Sequence, residues 1–403
     1  MQKPRVIGAF LSAAKASKLY WGILAVFFAG VMLSPMAPDG ANIFLSPDNL
    51  TEVLRQVSIT GIIAVGMTLV ILTGGIDLSV GSVMALGSTI SAMLLTQHGW
   101  HRGATVASVP MMLIAGGISY AVVTASLRYV RLHRHLSRGA GALCGLIAGV
   151  LVYLWLDQDV VNGVGVIGAI AAAMSVGFML GALSGVIIAK GNLQPFIVTL
   201  AMMVAALGVS RLMAGQDQSV YPVYTGTNAP IEFEILRSSF LGIPLPGLIF
   251  LAVVLVFGAL LAKFRFGRAI YALGGNEKAA HLAGVNVARI KIWVYALTGM
   301  LATFAGVLYV AQYRQGKPDV GTGLELDAIA AVVIGGANLM GGKGSVYGTL
   351  AGVLIFGFLN NIFQLNNIDS NLQLVLKGAI IVIAVLLQQS GDWRFKALWR
   401  KHR

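Results

Sequence analysis

Charged residues are scarce in this sequence. Asp, Glu, Lys and Arg make up 11% of its 403 residues, whereas soluble globular proteins carry about 25%. Hydrophobic residues account for 57%. This composition excludes a water-soluble enzyme, a nucleic-acid-binding domain and a disordered chain. A chain of this length can instead hold about a dozen transmembrane helices of ~20 residues joined by short loops.

Groups that carry out chemistry are also missing. The one cysteine, Cys144, excludes an intrachain disulfide. No set of His, Cys, Asp and Glu has the spacing of a metal site. The glycine-rich stretch 337–345 lacks the leading glycine and the Ser or Thr of a phosphate-binding loop. We therefore expect no catalytic residues, no ATP site, no metal and no cofactor in this chain.

Apolar stretches bounded by charge, proline or turn residues predict twelve membrane spans. They lie at 20–36, 56–73, 80–96, 105–127, 140–156, 163–189, 194–214, 246–263, 289–310, 325–340, 345–363 and 371–388. The tenth is short and is interrupted by Gly335 and Gly336. The predicted fold class is therefore an all-α polytopic membrane protein, with a transmembrane domain over 20–390 between the terminal segments 1–19 and 391–403.

Basic residues orient these spans. If the N-terminus is cytoplasmic, most of the 28 lysines and arginines lie on the cytoplasmic side, and of the 15 acidic residues only Asp77, Glu277 and Asp392 lie there. The positive-inside rule therefore places both termini in the cytoplasm. The net charge of +13 reflects this bias and requires no nucleic-acid partner.

One predicted external segment, 215–245, is longer than a turn. It is rich in proline, polar and aromatic residues, so we expect a partly ordered cap outside the membrane. Two interpretations stay open: a simple connector, or a docking surface for an external partner.

Glycine clusters interrupt the apolar pattern at two places. Asp77 and Ser79 lie in GGIDLSVGS at 74–82, between two spans, where a carboxylate is costly. Helix capping by Asp77 is favoured over a direct substrate role. GGANLMGGKGS at 335–345 echoes this motif, so we suspect an internal repeat. Such broken segments in two halves indicate a transport path.

The longest predicted cytoplasmic segment, 263–291, mixes charged residues with small apolar ones. Asn276 is a predicted N-cap for a short helix from Glu277 to Ala283 that ends at Gly284. A short amphipathic helix held between two spans suits mechanical coupling to a soluble partner. An interfacial loop that lies on anionic lipid is the alternative.

Together, these motifs resemble the sugar-type permeases of ATP-binding-cassette importers, most closely the ribose-type members. The matching blocks are TGGIDLSVGS at 73–82, AKGNLQPFIVTLAMM at 189–203, RFGRAIYALGGNEKAAHLAGVNVARIKI at 265–292, GTGLELDAIAAVVIGGANLMGGKGS at 321–345 and GFLNN at 357–361. The resemblance implies a homodimer in the bacterial inner membrane, with a cytoplasmic ATP-binding-cassette ATPase subunit and a periplasmic sugar-binding protein as partners.

The resemblance also implies a loop that docks on the ATPase. Its residues would be Phe266, Gly267, Arg268, Gly274, Gly275, Asn276, Glu277, Ala280 and Gly284.

The sequence departs from this family around 100–162. Members typically have about ten membrane segments, and 105–156 adds a hairpin of two spans around the basic loop 128–138. A solvated, lipid-facing basic loop is the favoured interpretation, and contact with the ATPase or a regulator is the alternative.

We thus predict a permease subunit that moves a monosaccharide, ribose or a related sugar, by alternating access driven by a separate ATPase. A neutral sugar needs hydrogen-bonding groups along its path rather than strong charge. The candidate path residues are Asp77, Ser79, Gln194, Asn338, Asn360 and Asn361. Helix–helix hydrogen bonding is the alternative role for at least one of the last two. The alternative function is an ion-coupled secondary transporter of a small polar solute.

Overall fold

The structure is a computed structural model, and it describes residues 21–96, 100–129, 134–158, 165–215, 220–383 and 386. The α-helices are α1 (Trp21–Leu33), α2 (Pro47–Leu72), α3 (Val80–Thr96), α4 (Trp100–Tyr129), α5 (Arg134–Gln158), α6 (Gly165–Gly191), α7 (Pro195–Ala214), α8 (Leu245–Lys263), α9 (Arg265–Gly275), α10 (Glu277–Leu282), α11 (Val287–Tyr313), α12 (Leu324–Ile334), α13 (Val346–Leu365) and α14 (Ser370–Ile383). Short 3₁₀ helices cover Ile43–Leu45 and Ile231–Arg237. The strands are β1 (Tyr221–Pro222), β2 (Ser239–Phe240), β3 (Ile243–Pro244) and β4 (Gln315–Gly316).

Each of the twelve predicted spans overlaps a helix, and the all-α polytopic fold class is confirmed. Among the described residues, seven helices are long and apolar enough to cross a membrane: α2, α6, α7, α8, α11, α13 and the Val106–Ser126 part of α4. The predicted terminal segments 1–19 and 391–403 lie outside the described residues.

The tenth span differs from its prediction. Residues 325–340 were expected to form one apolar helix, but α12 ends at Ile334 and has 11 residues. At 1.5 Å per residue it is about 16 Å long, roughly half the hydrocarbon thickness of a bilayer. Gly336, with φ of 89°, takes a left-handed conformation that stops the helix. The rest of the predicted span is irregular backbone.

The chain divides into two compact units. The first comprises residues up to 76, 239–290 and 323 onwards. Helix α2 is its centre and packs against α8, α12 and α13. Residues 57–59 and 61–72 of α2 are buried, because other helices surround it on every side.

The first unit also contains an aromatic cluster near the start of α2. The ring of Phe44 packs edge-on against Phe27 of α1 at 5.5 Å between centroids, and against Phe358 of α13 at 5.8 Å. Phe44 is completely buried. The cluster therefore fixes the short helix α1 on this unit through apolar contact.

The second unit comprises residues 77–238 and 291–322. Helix α3 packs against α4, α6, α7 and β4. Strands β1 and β4 pair antiparallel, with Tyr221 opposite Gly316. This pairing joins the segment after α7 to the end of α11.

Glycines hold α6 and α11 together in the second unit. Gly177 and Gly181 of α6 lie directly against the backbone of α11, where a Cβ would overlap the carbonyl oxygens of Gly299 and Tyr295. Gly299 meets Gly177 in the same way. Small residues at four-residue spacing allow this close approach, which drives helix association where lipid is as apolar as the side chains.

Helices α4 and α5 form the predicted hairpin at 105–156, and they pack extensively on each other. Gly116 of α4 and Gly145 of α5 lie in close contact, since a Cβ on either would meet the carbonyl oxygen of the other at 2.7–2.8 Å. Helix α4 also contacts α3 and α6. Much of the predicted basic loop 128–138 lies outside the residues whose side chains are described.

Candidate functional site: the coupling segment and the polar residues of the spans

The predicted coupling segment, 263–291, forms two short helices. Phe264 takes an extended conformation, with φ of −94° and ψ of 156°, which separates α8 from α9. Asn276 then ends α9 and caps α10, because its side chain accepts a hydrogen bond from the Ala279 N–H at 3.0 Å. Gly284, with φ of 84°, follows the end of α10. The predicted N-cap and stop signal of this short helix are both observed.

The predicted docking residues separate into an exposed and an inward set. The exposed set is Arg268, Gly275, Asn276, Glu277 and Gly284, and the inward set is Gly267, Gly274 and Ala280, with Phe266 half-buried between them. A partner protein can reach the exposed set directly. Gly267 and Gly274 of the inward set lie against residues outside the segment, whereas Ala280 is buried within it.

Gly274 lies in the tightest part of the inward set. A Cβ there would overlap the carbonyl oxygen of Leu72, the last residue of α2, and the N–H of Gly342. The Gly342 N–H donates a hydrogen bond to that same Leu72 oxygen at 3.0 Å. Gly341 in turn lies against Gly74 and Gly274. Three Gly-Gly pairs that are distant in sequence thus meet at one point, which we call the glycine junction (Gly74–Gly75, Gly274–Gly275 and Gly341–Gly342).

Tyr271 adds a side-chain bond to this junction. Its hydroxyl donates to the carbonyl oxygen of Gly344 at 2.9 Å, across 73 positions of sequence. Burial raises the pKa of Tyr271, so the hydroxyl remains a donor at physiological pH. The end of α9 is therefore bonded to the turn that precedes α13.

Two exposed apolar side chains of the segment are not among its predicted docking residues. Leu282 at the end of α10 is 87% exposed, and Phe264 before α9 is 61% exposed. Ala280 of the same helix is buried, and a position two residues further along a helix points about 200° away. The two-residue separation from an inward-facing Ala280 could therefore have predicted from the sequence that Leu282 is exposed. Both side chains extend the exposed set with apolar contact area.

Asp77 forms a turn with Ser79 directly before α3 in the second unit. Its Oδ1 accepts hydrogen bonds from the N–H of Ser79 at 2.9 Å and from the Ser79 hydroxyl at 2.6 Å. Ser79 in turn begins α3, since its carbonyl oxygen accepts from the Val83 N–H. Both residues are buried. The Asp77 carboxylate thus orients the residue at which α3 begins, and its capping and transport roles stay predictions. Gln194, the third candidate in this unit, is exposed and precedes Pro195 at the start of α7.

The three asparagine candidates of the first unit differ in their bonding. Asn361 forms a reciprocal amide pair with Asn49, at 3.0 and 2.7 Å, as the helix–helix alternative predicted. Asn338 stabilises the turn after α12, since its Oδ1 accepts from the Met340 N–H at 2.9 Å. The buried Oδ1 of Asn360, however, has no hydrogen-bond partner among the residues that the structure describes.

Two charged side chains inside apolar helices of the first unit pair with each other. Lys377 Nζ of α14 lies 3.0 Å from Asp327 Oδ2 of α12, and both side chains are mostly buried. The same ammonium group lies 5.8 Å from the centre of the Phe356 ring on α13. A charge in a membrane span is costly alone, so each residue supplies the partner that the other requires.

The external segment is anchored to the end of α11 in the second unit. Arg314, which follows α11, lies 3.0 Å from Glu234, and Thr225 donates a 2.6 Å hydrogen bond to the same carboxylate. Those two bonds, with the Thr225 bond the stronger cause, hold the pKa of Glu234 below its ordinary value. The predicted cap at 215–245 is thus an ordered structure over its described residues.

Apolar helices, glycine-broken connections and a two-helix segment between spans define a polytopic membrane permease subunit. The chain belongs to the family described as branched-chain amino acid transport system / permease component, which matches residues 49–138 and 134–385. The two matched parts meet within the predicted basic loop of the hairpin.

Curated relatives are similar over nearly the whole chain. The ribose import permease protein RbsC of Escherichia coli (strain K12) is 38% identical over 369 residues, which cover 91% of this chain and 92% of that protein. RbsC of Bacillus subtilis (strain 168) is 36% identical over 367 residues, 91% of each chain. The xylose transport system permease protein XylH of Haemophilus influenzae (strain ATCC 51907 / DSM 11121 / KW20 / Rd) is 35% identical over 386 residues, covering 94% of this chain and 98% of that protein. No solved structure matches the chain.

Proposed function

We propose that this chain is the membrane-spanning permease subunit of an ATP-binding-cassette importer for a pentose or a related monosaccharide. The observation that carries this proposal is the similarity, over more than nine tenths of the chain, to permeases named for ribose and xylose. The family description names branched-chain amino acids. Curated relatives at 35–38% identity favour the sugars.

The polar residues of the spans support a neutral, hydroxylated substrate. An amino acid carries an ammonium and a carboxylate group, and recognition of both requires unpaired charges or helix termini. Lys377 and Asp327 are paired with each other instead. The free amide oxygen of Asn360 suits a sugar hydroxyl, which can donate to it. We keep Asp77, Ser79, Gln194, Asn338, Asn360 and Asn361 as the proposed path, and Asn360 is the strongest of them.

A separate ATPase subunit would dock on the exposed set of the coupling segment. Glu277 and Arg268 supply charge there, and Leu282 supplies an apolar side chain that can enter a pocket of the partner. In this arrangement the chain performs no hydrolysis itself. A periplasmic sugar-binding protein would dock on the external segment, and two copies of the chain would form the pore in the bacterial inner membrane.

The ion-coupled alternative lacks a supporting observation. Such a transporter needs intramembrane acids or bases that can take up and release coupling ions. Asp327 is engaged by Lys377, and Asp77 is engaged by Ser79. Neither carboxylate is available as a coupling site without breaking these bonds.

Uptake measurements distinguish the two functions. Membrane vesicles that contain the permease, its copurified ATPase and its binding protein are loaded with ATP and given labelled ribose or xylose without an ion gradient. We expect uptake that depends on ATP. Uptake that requires a proton or sodium gradient, with no response to ATP, would overturn the proposal.

A pair of variants tests the docking surface in the same vesicles. Leu282→Asp places a charge on the exposed apolar contact and should release the ATPase during purification. Ile187→Asn, on the exposed side of α6, is the control for a polar substitution outside the coupling segment and should keep the ATPase bound. Retention of the ATPase by Leu282→Asp would show that docking occurs elsewhere.

A further inference from the structure

Helix α9 contacts the rest of the first unit at both of its ends. Near its start, Gly267 lies so close to α8 that a Cβ would overlap the carbonyl oxygen of Leu261. Near its end, Gly274 lies against Leu72 in the glycine junction. A helix of 11 residues is about 16 Å long. It therefore forms a short rigid lever between the end of α8 and the junction.

The junction completes the hydrogen bonding at the end of one helix and lies close to the beginning of another. The last carbonyl groups of a helix have no partner within it, and the Leu72 oxygen of α2 obtains one from the Gly342 N–H. On the other side, Ser345 caps α13 by accepting from the Gly348 N–H at 3.0 Å. Tyr271 holds the residue before this cap, Gly344, by its hydroxyl. One end of α9 thus touches both the end of α2 and the beginning of α13.

These contacts leave little room for sliding. Apart from the Tyr271 hydroxyl bond, they join backbone to backbone without intervening side chains, so a displacement of the α9 end must move its partners too. Gly341 and Gly342 adopt φ of 88° and 71°, a conformation in which other residues are strained. Glycine at both positions therefore allows the backbone conformation that this close contact requires, and other residues there would be strained.

We propose that Tyr271 and Gly274 are positioning residues, which transmit movement of the coupling segment to α2 and α13 and so convert ATP hydrolysis into sugar movement. This inference rests on the proposed function. The exposed set of the coupling segment receives the movement of the ATPase, α9 carries it, and the glycine junction delivers it. Neither residue touches the ATPase or the sugar in this arrangement. Their loss should therefore separate hydrolysis from transport.

The test measures sugar transported per ATP hydrolysed, in vesicles that contain permease, ATPase and binding protein. Gly274→Ala pushes a methyl group against the Leu72 carbonyl and should lower this ratio by roughly fivefold, the lower end of typical coupling between sites. Tyr271→Phe keeps the ring and removes only the hydroxyl bond, so we expect a smaller decrease in the same direction. Tyr271→Phe therefore still tests the proposal if Gly274→Ala fails to fold.

Two further glycines provide matched comparisons. No described atom lies within 4 Å of a Cβ at Gly275 or at Gly208. Gly275→Ala makes the same change one position along α9 and should lower the ratio less than Gly274→Ala. Gly208→Ala, in α7, should keep the wild-type ratio.

The outcomes distinguish this inference from the proposed function. If the wild-type permease shows no ATP-dependent uptake, the proposed function fails first. If the wild type is active and Gly274→Ala and Tyr271→Phe lose uptake and hydrolysis in equal proportion, the residues stabilise the fold only and the inference is wrong. An equal decrease in Gly275→Ala and Gly274→Ala would assign the effect to the surface of the segment, and would also overturn it.

Discussion

Two apolar helices of the second unit, α11 and α4, have similar composition and opposite surroundings. In the most apolar stretch of α11, 78% of the residues are buried, whereas in that of α4 only 11% are buried. Both satisfy the length and composition of a membrane span. Hydropathy therefore identifies a span but not its neighbours, because lipid and a protein interior are equally apolar.

The distribution of small residues accounts for the difference. Gly299 and Gly306 of α11 lie against the backbones of α6 and α3. On α4, by contrast, the large side chains of Val109, Leu113 and Ile118 are exposed. A helix with small residues on its contact faces belongs to the packed centre of this unit. A helix with branched residues outward is free to face lipid.

The largest expected effect comes from filling the α6–α11 contact. Gly299→Leu places a side chain into the Gly177 backbone, and overpacking of this kind costs about 3 kcal/mol or more. We expect loss of folded permease, measured as the monodisperse fraction after detergent extraction. Gly117→Leu is the control in α4, because no described atom lies within 4 Å of a Cβ there. Equal yields of the two variants would contradict the division between packed and lipid-facing helices.

Removal of the hairpin tests the comparison at the level of whole helices. Deletion of 105–156, with the flanks joined by a short polar linker, should lower expression more than transport per folded molecule. The physical reason is that α4 buries little of its apolar surface. ATP-driven uptake divided by the amount of inserted permease measures this. A deletion protein that inserts and binds its ATPase but moves no sugar would show that the hairpin belongs to the path.

A milder change opens the hairpin without removing it. Gly116→Leu would press against the Gly145 carbonyl of α5 and should separate the two helices. The free thiol of Cys144, which is partly buried on α5, then reports the opening through faster reaction with a maleimide dye. We expect faster labelling than in Gly117→Leu and unchanged uptake. Equal labelling rates in the two variants would mean that this glycine contact does not hold the hairpin.

The smallest expected effect concerns the anchor of the external segment on α11. Glu234→Gln removes an exposed ion pair with Arg314, which is worth up to about 1 kcal/mol. The pKa of Glu234 is lowered in the folded protein, so its contribution is present above the ordinary glutamate pKa and disappears as pH falls through the folded value. Thermal unfolding should separate wild type and variant at neutral pH and not in acid. A constant difference across pH would assign the effect to packing.

Much of the fold was predictable, because every span except the tenth is a continuous apolar run. The cap at Asn276 and the stop at Gly284 were predictable for a related reason, since both are local signals. The tenth span was predicted too long at 325–340, because hydropathy does not show which of its two interrupting glycines, Gly335 and Gly336, ends α12. The reversal at Gly336 depends on backbone conformation, to which hydropathy is insensitive.

The contacts of the candidate site were less accessible to sequence. Tyr271 and Gly344 are 73 positions apart, and no local pattern links them. Asn360 and Asn361 are neighbours with the same side chain, yet Asn361 pairs with Asn49 and the Asn360 oxygen has no described partner. Their difference arises from the direction in which each points from α13, which the sequence alone leaves open.

The pairing of Lys377 with Asp327 has a consequence for biosynthesis. Ribosomes make the chain from its N-terminus, so Asp327 enters the membrane fifty residues before Lys377. A lysine near the middle of a span disfavours insertion by about 2.5–3.5 kcal/mol. For α14, which is short and follows α12 and α13, a carboxylate already in the membrane would reduce that cost. The last helix that the structure describes is thus paired with a residue that an earlier part of the same chain has already delivered.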